Sequence, residues 1–188
     1  APSPSGRMHL GNLWSALLAW LAARSAGGGM VLRLEDLDPD RCRPEFCDQV
    51  MRDLEWLGLD WDGQPIYQSR RTEAYAAAFR ALEDQGLVYP CFCTRAQRLA
   101  ASAPHRSDGV VLYSGRCRHL TPAERETLSA QRAPAWRVQV PEETVSFRDQ
   151  IQGDYAQNLA AECGDFILRR SDGVYAYQLA VVVDDAFQ

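Results

Sequence analysis

Pro2-Ser3-Pro4-Ser5-Gly6-Arg7-Met8-His9-Leu10-Gly11-Asn12 reads as a loop that feeds a helix, and this junction decides the fold class. Pro2 and Pro4 fix their own φ and bias the residues before them toward extended backbone. Gly6 and Gly11 permit a tight turn or a close approach to a ligand, and His9 lies between them. Immediately afterwards Leu10, Leu13, Trp14, Leu17, Leu18 and Leu21 recur at helical spacing. A helix N-terminus presents free N–H groups and about half a unit of positive charge. The junction therefore suits an anion, and His9 can donate a hydrogen bond to a phosphate oxygen. Taken alone, a histidine in a glycine-rich turn is more often an ordinary loop residue.

Working outward, composition bounds the rest. The chain has 188 residues and 46% hydrophobic content, enough to bury a core as one domain or as a domain with a small insertion. It contains no apolar run long enough for a membrane span, and a soluble cytoplasmic protein is expected. The net charge is −5, so any nucleic-acid contact has to come from a local basic surface. All twenty basic residues are arginine. Six cysteines in such a chain point to metal or free thiols more than to a disulfide framework.

After the first helix, Gly27-Gly28-Gly29 supplies a stop, and Met30-Val31-Leu32-Arg33-Leu34 reads as a short apolar strand of a parallel sheet. Strand, loop and helix in this order predict an α/β sheet with ligands at the carboxyl ends of its strands, where Glu35 stands. Glu35-Asp36-Leu37-Asp38 is either a metal site or a solvated turn. Pro44 opens a helix with Phe46, Val50, Leu54 and Leu57 inward and Gly58 as its stop. A further helix follows Arg70-Arg71, with Tyr75, Ala78, Phe79 and Leu82 as its buried stripe and Gly86 as its cap. Thr121-Pro122-Ala123-Glu124 is a capping box, Trp136 to Val140 alternates as a half-buried strand, and Thr144 to Tyr155 gives one or two short strands. Asp172-Gly173 marks a hairpin turn, and Val181-Val182-Val183 carries an apolar run into Asp184-Asp185, with the chain expected back in the main sheet.

Cys91-Phe92-Cys93 follows a strand, and Tyr113-Ser114-Gly115-Arg116-Cys117 lies beyond it. Three thiols around a loop of small and charged residues suit zinc, because zinc thiolates fix a loop that has little core of its own. Chemistry alone leaves the fourth ligand open among His105, His119 and Tyr113. Cys42, Cys47 and Cys163 read as structural thiols.

The opening string Ala1-Pro2-Ser3-Pro4-Ser5-Gly6, with His9-Leu10-Gly11-Asn12, resembles the phosphate-binding motif of class I aminoacyl-tRNA synthetases in its glutamyl branch. Asn12 stands where the family carries a second histidine. Leu32-Arg33-Leu34-Glu35-Asp36-Leu37-Asp38 resembles a second family segment. The cysteine spacing and Tyr175-Ala176-Tyr177-Gln178-Leu179-Ala180-Val181-Val182-Val183-Asp184-Asp185 are similar to the short glutamyl-queuosine tRNA(Asp) subfamily, rather than to ordinary glutamyl-tRNA synthetases.

The resemblance implies a fold, a chemistry and a set of site residues. The fold is a Rossmann-type parallel sheet. Residues 1–86 form its first half, 87–157 an inserted zinc-binding α+β subdomain, and 158–188 the return to the nucleotide-binding domain. ATP contacts fall to His9, Gly11 and Asn12, with His9 catalytic; glutamate contacts fall to Ser3, Ser5, Glu35 and Tyr177. Cys91, Cys93, Tyr113 and Cys117 hold structural zinc. Glutamate is activated by ATP with Mg²⁺ and passed to queuosine in the anticodon loop of tRNA(Asp), with Arg95, Arg118 and Arg148 as candidate phosphate contacts. A monomer is expected. The family also has Arg-Phe ahead of Ala1 and, beyond Gln188, the C-terminal part of the sheet and a lysine-bearing loop, so this chain alone is expected to be inactive. The competing readings are an ordinary glutamyl-tRNA synthetase, a small-molecule nucleotidyltransferase, and a non-catalytic zinc-stabilised tRNA-binding module.

Overall fold

The computed structural model describes residues 1–94 and 112–188 and divides into two compact units. The first comprises Ala1–Ala76 with Ala180–Gln188, the second Ala77–Leu179. Arg95 and His105 lie outside the described residues.

In the first unit, helix α1 (Leu10–Ser25) is followed by strand β1 (Arg33–Leu34), helix α2 (Pro44–Trp56), strand β2 (Ile66–Tyr67) and a 3-10 turn, Gln68–Arg70. Strands β1 and β2 pair in parallel, Arg33 opposite Ile66, with α2 as the crossover. The expected strand from Met30 is shorter than its apolar run. Met30 and Leu32 still accept from Asp62 and Ile66 N–H, but only two residues form a regular ladder. Leu32, Leu34, Cys47, Val50, Leu54 and Leu59 make the core, and Ala16, Leu17 and Trp20 of α1 pack on it. Helix α2 buries Val50 and Leu54 as expected, with Cys47 buried beside them while Phe46, expected inward, is only half-buried. Leu57, expected inward, is exposed because the helix ends there and Gly58 turns the chain at φ 73°. Leu10, Trp14, Leu18 and Leu21 of α1 are also exposed: the helix is apolar on two faces and the core takes one.

Helices α3 (Thr72–Asp84) and α6 (Tyr177–Phe187) each contribute residues to both units. The run Val181–Val183 is helical, not a strand of the sheet. Its buried positions, Ala180 and Asp184, fall four apart as one helix face requires. Asp184 is completely buried and accepts from Gln68 Nε2 at 2.9 Å, Arg71 Nε at 2.7 Å and Tyr75 Oη at 2.8 Å. Burial alone raises its pKa, yet the bonds from Arg71, Tyr75 and Gln68 outweigh that and hold it below the ordinary carboxylate value. Stability from Asp184 is therefore complete above its unfolded pKa, about 3.9, and is lost as pH falls through the lower folded value. Asp184→Asn strips Arg71 of its counter-ion and is expected to cost about 3 kcal/mol in denaturant unfolding. A loss under about 0.5 kcal/mol would show the cluster to be dispensable.

The second unit holds strand β3 (Val88–Cys91), helix α4 (Pro122–Gln131), strand β4 (Ala135–Val138), strands β5 (Thr144–Asp149) and β6 (Gly153–Asn158), helix α5 (Leu159–Glu162) and strand β7 (Ile167–Arg169). Three strands form an antiparallel sheet in the order β3-β4-β7. Pro90, which lacks an N–H, sits in the edge strand β3. Thr121 and Glu124 cap α4 reciprocally, as read from the sequence. The Asp172-Gly173 turn closes with Gly173 N–H on the Arg170 carbonyl, and Arg169 bridges to Tyr175. Because β7 pairs with β4, the segment up to Leu179 belongs to this unit. The two compact units divide after Ala76 and after Leu179. The β5–β6 hairpin exposes both faces, with the Phe147 and Tyr155 rings 5.3 Å apart.

Candidate functional site

In the first unit, the N-terminal loop is strapped to the end of β1. Pro4 is fully buried, and Glu35 N–H donates to the Pro2 carbonyl at 3.0 Å. His9 is the N-cap of α1. Its Nδ1 accepts the Gly11 N–H at 3.1 Å, and its own N–H donates to Asn12 Oδ1 at 3.0 Å. A neutral His9 bonded in this way carries its proton on Nε2, which is left to donate outward. No acidic residue occupies the first turn of α1, so the positive end of the helix keeps its field. A Cβ at Gly11 would meet His9 Cε1 at 3.0 Å and Nδ1 at 3.1 Å, so a larger residue there would push the His9 ring off its capping position. Sequence reasoning placed His9, Gly11 and Asn12 at one phosphate site, and the structure brings all three into one cap. Beside it a cavity of about 280 Å³ runs along α1, lined by Asn12, Ser15, Ala16 and Trp20.

Glu35, at the carboxyl end of β1, is almost completely buried. Ser3 Oγ donates to its Oε2 at 3.3 Å, and Arg33 Nη2 lies 3.6 Å from its Oε1. Arg33 also binds Asp185 Oδ1 at 2.7 Å and Gln188 Oε1 at 2.6 Å. A carboxylate fixed through both oxygens is preorganised for a cationic group. Ser5 donates its N–H to the Ser3 carbonyl. Arg33 was not singled out in the sequence, although its place two residues before Glu35 puts both side chains on one strand face. The other two carboxylates do not join Glu35. Asp36 accepts from Ser69 N–H and Oγ, and Asp38 accepts from Asp40 N–H. Tyr177 heads α6 in the second unit and is about half exposed.

The second unit carries the thiol cluster. The Cys91, Cys93 and Cys117 sulfurs lie within 4.8 Å of one another, and Cys93 and Cys117 are 3.5 Å apart. Tyr113 Oη is 3.4 Å from Cys91 Sγ and 3.6 Å from Cys93 Sγ, and accepts the Cys117 N–H at 2.9 Å. A tetrahedron with metal–sulfur bonds of about 2.3 Å has edges of about 3.8 Å. Three sulfurs and one oxygen at these separations fit such a shell. Among the described residues, His119 is not part of the cluster. Burial pushes the Cys93 thiol up to about 11 and raises the Tyr113 hydroxyl, which the bonded thiols raise further. Burial also opposes ionisation of Cys91, but bonds from Tyr113, the Cys93 N–H and Arg137 leave it below its ordinary value. Of the cysteines read as structural, Cys47 is buried and Cys163 exposed. Arg118 lies 3.8 Å from Asp165, and Arg148 pairs with Asp154 on the exposed hairpin.

Comparisons with known proteins converge on one group of enzymes. The family model for class I tRNA synthetases (E and Q), catalytic domain, matches residues 1–188. The chain is 51% identical over 188 residues to a glutamyl-Q tRNA(Asp) synthetase of Thiobacillus denitrificans, covering all of this chain and 60% of that protein. It is 50% identical over 195 residues to one of Nitratidesulfovibrio vulgaris, covering 98% and 60%. The crystal structure of a glutamate tRNA ligase from Elizabethkingia meningosepticum in complex with its amino acid superimposes with a TM-score of 0.80 at 28% identity, covering 98% of this chain and 40% of that one. The chain thus spans about 60% of the length of the curated relatives it matches.

Proposed function

Because the chain belongs to the class I tRNA synthetase (E and Q) catalytic-domain family, we propose that it activates glutamate with ATP and, within a polypeptide of its relatives' length, passes it to queuosine of tRNA(Asp). The observation that carries this reading is the pairing of two preorganised groups in one unit. The His9-capped helix end faces outward, and Glu35 is held by Ser3 and Arg33. An open helix N-terminus with a donor histidine suits the phosphates of ATP, to which Mg²⁺ would be bound. A buried, fixed carboxylate suits the α-ammonium of an amino acid.

On this reading the glutamate α-carboxylate attacks the α-phosphate of ATP, giving glutamyl-adenylate and releasing pyrophosphate. The residues contribute position and charge rather than covalent chemistry. His9 donates from Nε2 to a phosphate oxygen as charge develops, with Gly11 and Asn12 forming the rest of the cradle. Ser3, Ser5 and Glu35 hold glutamate in the first unit, and Tyr177 is the residue that the family resemblance assigns to the same substrate. Zinc in the shell of Cys91, Cys93, Tyr113 and Cys117 would be structural, fixing the loops that carry these residues beside the cluster of Tyr89, Cys91 and Cys117. The protein is taken to act in the cytoplasm; among the described residues no helix is long and apolar enough to cross a membrane.

The acceptor rests on the roughly 50% identity to proteins named glutamyl-Q tRNA(Asp) synthetase. Unpaired anticodon bases can splay out and be stacked or hydrogen-bonded in a site of this kind. A polypeptide of the relatives' length is expected to charge tRNA(Asp) that contains queuosine, and to leave queuosine-free tRNA(Asp) and tRNA(Glu) uncharged. Because the chain is acidic overall, tRNA has to be held by a local arginine surface, and since arginine–phosphate contacts release counterions, transfer should weaken as salt rises. Labelled glutamate on the 3′ end of tRNA(Glu) would replace this reading with the ordinary glutamyl-tRNA synthetase.

A further inference from the structure

Arg71, Arg118 and Arg148 each lie beside a carboxylate, whereas Arg137 has different surroundings. It lies in the middle strand of the β3-β4-β7 sheet and is 5% exposed. Opposite it on β3 is Tyr89, and Cys91 opposes Ala135, so Arg137 and Cys91 share a sheet face. Its guanidinium carbon stands 3.8 Å from the centroid of the Tyr113 ring. Its Nη1 donates to the Asp165 main-chain carbonyl, and its Nε has no partner. It makes no ion pair with a carboxylate among the described residues; Asp165 spends its own carboxylate on Tyr89, Val140 and, more distantly, Arg118. A buried arginine ordinarily has an anionic partner, because an unpaired buried charge is costly. Among the described residues no carboxylate fills that place, and the group that meets the Arg137 charge is the Cys91 thiol, whose ionised form it favours.

The thiol cluster supplies the anion. A divalent metal held by three thiolates and a phenolate carries a formal charge of about −2, which the interior does not tolerate uncompensated. We propose that Arg137 is the counter-charge of this metal shell, and that by stacking on Tyr113 it holds that ring with its oxygen directed at the thiols. Arg137 is thus a positioning residue that lets an anionic oxygen, rather than a neutral imidazole, complete the shell. Its role rests on the zinc reading of the cluster. Arg132 and Arg170 line the same cavity as Cys91, Cys93 and Arg137, with Asp172 paired to Arg170, so the cationic surroundings extend beyond one residue.

Zinc affinity of the purified protein, measured by chelator competition, tests the proposal. Outer-shell partners typically change metal affinity by about 10- to 100-fold. Arg137→Gln is expected to weaken zinc binding by about tenfold or more, and Arg137→Lys, which restores the charge, to recover most of that loss. In a Tyr113→Phe background the same Arg137→Gln change should add little. Zinc affinity of Arg137→Gln within about threefold of wild type would overturn the proposal, as would an equal loss with and without Tyr113. If Arg137→Gln fails to fold, Tyr113→His decides. A neutral fourth ligand beside an unused cation should bind zinc about tenfold more weakly than Tyr113, and equal or tighter binding overturns the proposal. Wild-type protein that takes up no zinc at all would instead remove the zinc reading itself.

Discussion

Cys93→Ser is expected to leave the protein without zinc, whereas the unchanged chain should hold about one ion. The expectation follows from the geometry of the cluster. Cys93 Sγ lies 3.5 Å from Cys117 Sγ and 3.6 Å from Tyr113 Oη, so it touches both ligands contributed by the second segment. Serine is a far poorer ligand than thiolate for a borderline-soft ion. Structural zinc is typically worth on the order of 10 kcal/mol of apparent binding energy, and much of that is folding energy. Among the described residues the buried cluster around it is centred on Tyr89, Cys91 and Cys117, two of which are themselves candidate ligands. Hydrogen exchange of Val88–Cys91 and of the turn around Gly115 should therefore speed up markedly in Cys93→Ser or after chelation. Cys163→Ser, at an exposed position outside the cluster, is the control and should keep its zinc. The raised Cys93 and Tyr113 groups keep their protons at neutral pH when no metal is bound. Zinc must displace those protons, so its apparent affinity should fall as pH is lowered. Metal analysis finding reduced, metal-free thiols in the wild-type protein would reject the site.

The elements that were legible in the sequence are those whose signals are local. The capping box at Thr121 and Glu124, the turn at Asp172-Gly173 and the helix stop at Gly58 each need only three or four neighbouring residues. The thiol cluster was legible for the same reason, since Cys-x-Cys and Tyr-x-x-x-Cys each place two ligands on one loop. Interactions between distant segments were not. Asp184 meets its three partners across 109 to 116 positions, and Arg33 reaches Asp185 across 152. No spacing rule joins residues so far apart, and a buried aspartate looks in the sequence like any other. At Val181 to Val183 the local propensity and the structure part for a different reason. Three β-branched residues favour a strand, but burial at Ala180 and Asp184 and the anchoring of Asp184 favour a helix, and packing outweighs propensity. Arg137 was hidden because arginine in a strand ordinarily points to solvent, whereas here the middle strand, the Asp165 carbonyl and the Tyr113 ring enclose it.

His9→Ala, in a polypeptide of the relatives' length, is expected to slow glutamate-dependent ATP–pyrophosphate exchange by about 100-fold while leaving glutamate affinity nearly unchanged. His9 performs two tasks in the structure, and the experiment must separate them. Through Nδ1 it accepts the Gly11 N–H and caps α1; through Nε2 it has a proton to donate. Loss of an N-cap typically costs about 1 kcal/mol of stability, which need not affect the rate. Loss of one positioned donor to a developing charge typically costs about 100-fold or more in rate. His9→Asn keeps a side chain that caps helices well but removes the outward donor. Both variants should therefore lose rate to a similar extent, while only His9→Ala loses appreciable stability. Glu35, which Ser3 and Arg33 hold independently of His9, should bind glutamate as before, so the effect belongs in the rate and not in the concentration of glutamate needed. If His9→Asn exchanges pyrophosphate within about threefold of the unchanged protein, His9 is a cap alone, and the helix N-terminus with its free N–H groups carries the phosphates without it.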